Sequence, residues 1–455
     1  MPQNLQTRAD MPLVRLALPI YLENLLRTTL SSVDVFMLSS YSPEAVAAVG
    51  LVIQFTFFIQ LLYFIAASGA GVLISQYLGA GREDKAGEAG LAAAVLSTAF
   101  ALGMSVVTVA AAGPILSLYA LEPTVHRYAF QYLVIYGACS ILPAFNIVQA
   151  TILRSYGYSK DSMYASMTAN LVNVVGNSFA LYGWFGLPVL GVSGVAASTA
   201  VSQAVACAIL AVRIRTRREI VLPWRRVLRL PRAMYRKLLS IGVPTAGENL
   251  SYNIMQIFQM AIITRFGTAA ISAHTYGVTL LRFAFIPTLS VGSATQIKIG
   301  YLVGAGRLDD AYRKVFRYYG AGFALSLGLI LALNLLKTPA IELFTHDPLI
   351  VALTSAVLLI SVLRETGRVS NIVIISGLKG AGDVRFPVFA GMAFMWGIGL
   401  GGAYLAGVTF GLGLAGVWLA IAADEWLRGI VMAFRWRSGA WRNKSLVESK
   451  AAVPA

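Results

Sequence analysis

Charge is scarce in this chain. Only 12% of its 455 residues are Asp, Glu, Lys or Arg, 57% are apolar and the mean hydropathy is +0.71, so a soluble domain built from it would lack charged surface. Cysteine is scarcer still. Cys139 and Cys207 stand singly inside apolar runs, without a CxxC pair, metal-ligand spacing or secreted disulfide pattern, and are read as small packing residues. The sequence also lacks a phosphate loop, a metal-ligand cluster and a nucleophilic triad, so neither an enzyme nor a cofactor is expected. Gly79-Ala80-Gly81 has neither the preceding strand nor the GxxxxGK[ST] spacing of a nucleotide loop, and direct ATP use finds no support. The N-terminus carries no cleavable signal pattern, so the first apolar run is expected to be kept as a membrane crossing.

Apolar stretches of about 20 to 30 residues separated by short polar loops fill the chain instead, the length a helix needs to span hydrocarbon. They predict twelve crossings, near 13–38, 46–77, 89–116, 124–152, 160–183, 190–213, 238–264, 272–302, 311–336, 347–377, 386–408 and 412–435. Barrel strands would alternate over about ten residues, which these do not. Gly, Pro, Ser and Thr within the runs predict close packing and kinks whose freed backbone groups meet neighbours or a wet cavity.

The chain repeats itself. An offset of 225 carries Pro19 and Glu23-Asn24-Leu25 onto Pro244 and Glu248-Asn249-Leu250, Gly79-Ala80-Gly81-Arg82 onto Gly304-Ala305-Gly306-Arg307, and Leu153-Arg154 onto Leu378-Lys379. Gly191-Val-Ser-Gly194-Val195 recurs as Gly413-Leu-Ala-Gly416-Val417, displaced by 222 after one short deletion. These matches imply an internal duplication. The expected fold is therefore all-α and polytopic: twelve transmembrane helices in two pseudo-symmetric six-helix bundles, an N-terminal lobe at 1–225 and a C-terminal lobe at 226–455. An even number of helices per lobe sets the symmetry axis along the membrane normal.

Basic residues sort onto alternate loops. Arg82 with Lys85, Arg154 with Lys160, Arg307 with Arg313, Lys314 and Arg317, and Lys379 with Arg385 all follow even-numbered crossings, and the densest cluster, from Arg213 to Lys237, joins the halves. The positive-inside rule then puts both termini and the central linker in the cytoplasm. The net charge of +16 is read as topology and contact with anionic lipid rather than nucleic-acid binding.

Ionisable residues inside the crossings carry the functional reading. Glu23, Arg27 and Asp34 lie four and seven residues apart; at 100° per residue, positions 23 and 34 differ by about 20° in azimuth and about 16 Å in height, so the three share one stripe. A stripe of this kind is expected to face the bundle interior or a cavity. Glu23 and Arg27 are spaced to pair at i,i+4, which leaves a structural ion pair and participation in transport both open. Asp34 has Leu30 and Leu38 at i−4 and i+4, and a carboxylate without a helical partner suits reversible binding of H⁺ or Na⁺. In the second half Tyr252 and Gln259 replace Arg27 and Asp34, leaving Glu248 without a counter-ion on its own helix and free to meet a cationic substrate or a proton; with Asn253 and Gln256 they predict a polar cavity wall. Asn170, Asn173 and Asn177 line one face of the fifth crossing, able to complete a cation site beside Asp34 or to bond between helices. Arg364-Glu365 falls in the tenth crossing. Asp424, spaced to pair with Arg428, falls in the twelfth beside Glu425, while Arg282 and Lys298 are candidate counter-ions in the eighth, Lys298 close enough to the cytoplasmic end to snorkel.

Several runs share a family pattern: Leu16-Ala-Leu-Pro19, Ser32-Val-Asp34-Val-Phe-Met-Leu38, Glu44-Ala-Val-Ala-Ala-Val-Gly50, Gln76-Tyr-Leu-Gly-Ala-Gly81, Asn173-Val-Val-Gly-Asn177-Ser-Phe-Ala-Leu-Tyr-Gly183, Ile241-Gly-Val-Pro244 and Gly267-Thr-Ala-Ala-Ile-Ser-Ala-His274. In their combined spacing, over roughly 12–435, they resemble the multidrug and toxic compound extrusion (MATE) family, within the larger group that includes lipid-linked oligosaccharide flippases. The resemblance implies a prokaryotic inner-membrane antiporter, working as a monomer, that exports amphipathic organic cations or other toxic compounds in exchange for H⁺ or Na⁺. It places Asp34 at the family's first-helix acidic position and Asn173 at a fifth-helix amide. Asn177 stands where some members carry a second acid, and Glu248 lies about two turns nearer the proline than the seventh-helix acid of one subgroup. A lipid-linked oligosaccharide flippase and a non-transporting membrane scaffold are the competing readings of the same architecture.

Overall fold

The computed structural model describes residues 8–186 and 188–447, and the description is helical throughout. The first half comprises α1 (Val14–Tyr41), α2 (Pro43–Gly79), α3 (Glu83–Ser117), α4 (Pro123–Ala138), α5 (Ile141–Ser155), α6 (Ser159–Tyr182) and α7 (Gly191–Thr216). After a 3-10 turn at Trp224–Arg229 come α8 (Arg232–Ile263), α9 (Thr268–Gly304), α10 (Leu308–Leu335), α11 (Pro348–Ala381), α12 (Arg385–Thr409) and α13 (Gly413–Arg437).

Helices α4 and α5 form one crossing bent by 51°. The cause is local. Pro143 has no N–H to give the carbonyl four residues back, on Cys139, and its ring collides with that carbonyl, so the helix stops and restarts there. Its counterpart α11, with Arg368 at the Pro143 position, runs unbroken for 34 residues, capped by the Asp347 carboxylate accepting from Leu349 and Ile350 N–H at 2.8 and 3.2 Å.

The duplication is visible in the backbone. Gly81 and Gly306 hold φ of 71° and 74°, Gly157 and Gly382 hold 90° and 95°, and Gly191 and Gly413 hold 59° and 58°. Left-handed turns cost a side chain free energy that glycine avoids, so both copies keep glycine at the same bends.

Among the described residues seven helices are long and apolar enough to cross a bilayer, or eight with the bent pair. The other four crossings, α1, α6, α8 and α13, carry many of the polar residues singled out above, among them Asp34, Asn173, Glu248 and Asp424. Exposed side chains along the spans include Phe36, Val106, Val201, Leu359, Phe389 and Phe434, the surface a lipid solvent requires.

By contacts the chain forms two compact units. The N-terminal unit contains 22–74 and 82–242; its core gathers Val49, Val52, Leu116, Leu133 and Val195 from α2, α3, α4 and α7. Of the described residues, the C-terminal unit contains 8–21, Ser75–Gly81 and 243–447. Its cores pack Ile262, Leu281, Leu358 and Trp418 at one level and Ile299, Val373 and Trp436 at another, where Trp436 stacks on Trp441 with centroids 4.1 Å apart. Glycine permits close approach here: a Cβ on Gly79 would sit 2.1 Å from the Tyr301 carbonyl oxygen, and one on Gly304 would sit 1.9 Å from that of Gln76.

Candidate ion-coupling site and charged cavity

In the N-terminal unit α1 and α6 bring Asp34, Asn173 and Asn177 together. Asn177, 1% exposed, donates from Nδ2 to Asp34 Oδ1 at 2.9 Å. The Asn173 amide lies between Asp34 and Thr199. Turned so that both ends are satisfied, it donates to Asp34 Oδ1 and Oδ2 at 3.1 and 3.2 Å and accepts from Thr199 Oγ1 at 3.2 Å. The Tyr132 hydroxyl joins the network at Thr199, a contribution from α4 that helical spacing on α1 and α6 gave no means of finding. Among the described residues no cationic side chain pairs with Asp34, and its charge meets neutral donors alone. Asn177 Oδ1 is buried without a partner, as is Asn170 Nδ2.

Glu23 does not join this group. Its carboxylate lies 3.4 Å from Arg154 NH1 on α5 and accepts from Ser162 Oγ on α6 at 3.1 Å, so the expected pair with Arg27 is not made; Arg27 is exposed. A guanidinium at the end of α5 reaches the carboxylate across the unit, displacing the neighbour one turn away on the same helix.

The second half repeats this contact. Glu248 Oε2 lies 2.6 Å from Lys379 Nζ, so the counter-ion that its own helix lacks comes from α11. Glu23 and Glu248 are repeat mates, and so are Arg154 and Lys379; each acid meets a base 131 residues further along. The two basic positions were already aligned by the offset of 225, and their recurrence together with the acids was the signal that could have paired them.

Tyr252, Gln256 and Gln259 face a different set of partners. The Tyr252 hydroxyl accepts from Gln256 Nε2 at 2.8 Å and from Arg368 NH2 at 3.1 Å, while Gln259, 3% exposed, donates to the Gly399 carbonyl at 3.3 Å. That carbonyl belongs to a π-type stretch of α12, Met395–Gly401, whose wider turns bring Gly399 against Asp424. Asn253 points outward and donates to the Asn249 carbonyl at 2.8 Å. Lys298 does not snorkel: it is fully buried and its Nζ donates to the carbonyls of Arg8 and Ala9 at 3.1 and 2.6 Å.

Behind Tyr252 lies a knot of six buried charges. Glu365 is shared by Arg364 at 3.1 Å and Arg368 at 3.3 Å; Glu425 takes Arg368 at 3.4 Å, Arg428 at 3.4 Å and Asn371 Nδ2 at 2.8 Å. Arg428 also holds Asp424 at 2.6 Å, the i,i+4 contact that the spacing predicts. Of these, Arg364, Arg368, Asp424 and Glu425 border a cavity of about 130 Å³ between α8, α9, α11 and α13.

With that geometry in hand, comparison with known proteins gives a consistent result. The MatE family model matches twice, over residues 19–179 and 244–421, starting at the two repeated prolines. The chain is 36% identical over 436 residues to YisQ, an uncharacterized transporter of Bacillus subtilis (strain 168), covering 95% of each chain. It is 28% identical to the multidrug resistance protein NorM of Burkholderia vietnamiensis, covering 92% of each. A MATE structure in a bent conformation superposes with a TM-score of 0.90 at 20% identity, over 98% of this chain and 100% of the other, and an outward-facing multidrug resistance MATE transporter of the MOP superfamily with 0.88, also at 20% identity, over 98% and 100%. The chain belongs to the MatE family, the multidrug and toxic compound extrusion proteins, which are multi-pass membrane transporters and not enzymes.

Proposed function

We propose that this protein is a secondary active antiporter of the cytoplasmic (inner) membrane that exports amphipathic organic cations or other toxic compounds in exchange for H⁺ or Na⁺. Two lobes, 1–225 and 226–455, would carry out alternating access, with both termini cytoplasmic as the basic loops favour. The family model and the NorM relative support the transport class.

One observation carries the coupling assignment: Asp34 is a half-buried carboxylate met by amides and, among the described residues, by no cation. Amide donors stabilise the ionised form without cancelling its charge, so a proton or a metal cation still gains by arriving. The unpartnered Asn177 Oδ1 offers a further acceptor beside it. A residue locked to arginine would be neutralised in every state. Asp34 is not, so its occupancy can differ between carrier states, and an ion and a substrate that stabilise different states are coupled by necessity. Glu23, Arg27, Glu248, Tyr252, Gln256 and Gln259 are then supporting groups of the scaffold and cavity wall.

The test is dye efflux from proteoliposomes under separately imposed pH and Na⁺ gradients, with Asp34→Asn as the paired control. Efflux should follow one gradient and stop in the variant while the protein stays folded. Gradient-driven efflux at the wild-type rate in Asp34→Asn would overturn the assignment.

A further inference from the structure

One helix belongs to both compact units. α2 lies in the N-terminal unit as far as Ile74, while its end and the bend after it, Ser75–Gly81, are packed inside the C-terminal unit. Ser75, Gln76 and Leu78 are fully buried in that seat, and glycine on α9 lets the backbones close, since a Cβ on Gly300 would lie 2.6 Å from the Ser75 Cβ. A continuous helix held by two bodies ties their motion. When the units change their arrangement, the seat must empty or α2 must bend beside Ile74.

A segment far along the chain fastens the seat. After α13, residues 438–447 fold back onto the C-terminal unit. Fully buried Trp441 stacks on Trp436 and donates from Nε1 to the Trp436 carbonyl at 2.8 Å, and the Arg442 guanidinium lies 2.7 Å from Asp309 Oδ1. The Lys444 carbonyl runs so close to Gly382 that a Cβ there would be 2.3 Å away. The chain then reaches α2: Leu446 N–H donates to Gln76 Oε1 at 2.9 Å, while Gln76 Nε2 donates to the Gly380 carbonyl at 2.9 Å. One buried amide thus joins α2, the end of α11 and the segment after α13. Val447, 5% exposed, is buried beyond it.

The first half supplies an internal control. The stretch that the offset of 222 matches to 438–447 follows α7 and seats on α3 of its own unit, where a Cβ on Gly87 would lie 2.0 Å from the Val221 carbonyl oxygen. The offset of 225 puts Tyr301 at the position of Gln76, so the amide that receives Leu446 is not a repeated feature.

We propose that residues 438–447 form a latch that fastens the end of α2 in the C-terminal unit, so that this helix end leaves its seat only after the Leu446–Gln76 bond has opened. The latch rests on alternating access by the two lobes, and not on the role of Asp34 or the identity of the ion.

The experiment follows alkylation of Ser75→Cys by a membrane-impermeant maleimide in the full-length protein in lipid nanodiscs, with Cys139→Ala and Cys207→Ala throughout. Ser75 is fully buried, so the thiol reacts only in molecules whose seat has opened, and the rate reports that population. Leu446→Pro removes the N–H donor and should speed the reaction about fivefold, the factor that one hydrogen bond supplies. Ending the chain after Trp441, which also removes buried Val447, should speed it about tenfold or more. In a Gln76→Leu background Leu446→Pro should add less than about twofold, because the acceptor is already gone. Ser361→Cys, fully buried about five turns before Gly380 on α11, should react at one slow rate in every variant. If the shortened chain fails to fold, Leu446→Pro against Gln76→Leu still decides the matter. No acceleration at Ser75→Cys, equal acceleration at Ser361→Cys, or full additivity of Leu446→Pro with Gln76→Leu would each overturn the latch. The labelling needs neither substrate nor gradient, so the latch can fail while efflux still depends on Asp34, and can hold if efflux does not.

Discussion

In the first half Asp34 stands among neutral amides; at the same repeat position the second half has Gln259, and there Glu365, Asp424 and Glu425 are tied to three arginines. The two copies share their turns, their prolines and their Glu–base contact, so the difference is one of chemistry on a common backbone. A carboxylate whose partners are neutral keeps a charge that an incoming ion can cancel. One that shares guanidinium groups has already been neutralised, and removing a proton from or adding one to it disturbs several contacts at once. On the proposed reading, the halves separate an exchangeable charge from a fixed charge network.

The largest expected effect comes from breaking the exchangeable side. Asp34→Asn keeps the shape of the site and one acceptor oxygen but fixes it neutral, so dye efflux should drop to the leak of empty liposomes under either gradient. The protein should still melt cooperatively near the wild-type midpoint, because burying an amide costs less than burying a carboxylate and the neighbouring amides can turn to pair with it. A variant that exports normally would make the comparison between halves irrelevant to transport.

Exchanging the residues at the shared asparagine contact sharpens it next. Glu425→Gln gives the second half the first half's residue but leaves Arg368 and Arg428 short of a carboxylate, and Gln203→Glu puts a carboxylate among neutral groups in the N-terminal unit. Stranding one member of a buried pair costs about 3–5 kcal/mol, so Glu425→Gln should lower the unfolding free energy by that order. Gln203→Glu should cost less, as helix α7 can relax and the new group can take up a proton. Equal losses in denaturant titrations of the two variants would mean that the arginines contribute nothing to the asymmetry.

A smaller effect is expected at the duplicated pairs. Glu248–Lys379 at 2.6 Å is the tighter, with 15% and 13% of the side chains exposed; Glu23–Arg154 at 3.4 Å leaves 26% of the arginine exposed. Values between those of surface and buried pairs apply, so Lys379→Met should cost about 2 kcal/mol and Arg154→Met about 1 kcal/mol. Lys379→Arg, which imports the first half's base, should recover most of the loss in a melting experiment. If the order of the two losses is reversed, the shorter contact is not the stronger one.

These partnerships show where sequence reading reaches and where it stops. Twelve crossings were legible because each is a run of one solvent preference, and the duplication because glycine recurs wherever the chain must adopt positive φ, as at Gly81 and Gly306 or Gly157 and Gly382. The grouping of Asp34 with Asn173 and Asn177 followed from helical spacing and the family pattern. The break at Cys139 could have been read from Pro143, whose steric effect is local. The base facing each glutamate could not be found by helical spacing, which searches one turn in either direction while Arg154 and Lys379 lie 131 residues away. Nor could the burial of Lys298 be read from its place near a helix end, since its hydrogen-bond acceptors are backbone carbonyls of residues 8 and 9, groups that every sequence has.

The smallest predicted effect lies outside the membrane, in a turn where the halves reverse polarity: Lys85–Glu88 at 2.7 Å in the first copy stands at the positions of Asp310–Arg313 at 3.0 Å in the second. In the second copy Arg307, the repeat mate of Arg82, reaches Asp310 at 2.8 Å and Asp10 at 3.0 Å and holds both carboxyls below the usual carboxylate range. Because their folded values are depressed, the stabilisation is fully present above the unfolded value near 3.9 and fades as pH falls through the folded values. Asp10 is half exposed, so solvent screening limits the contribution to about 1 kcal/mol or less. Arg307→Gln should therefore lower the melting midpoint slightly at pH 7, and the gap from the wild type should shrink as pH falls below the unfolded value and close only below the depressed folded values, where both carboxyls are protonated in either protein. A gap that persists in acid would show that Arg307 acts there through packing of its side-chain stem, and its charge would then contribute nothing to the difference between the two turns.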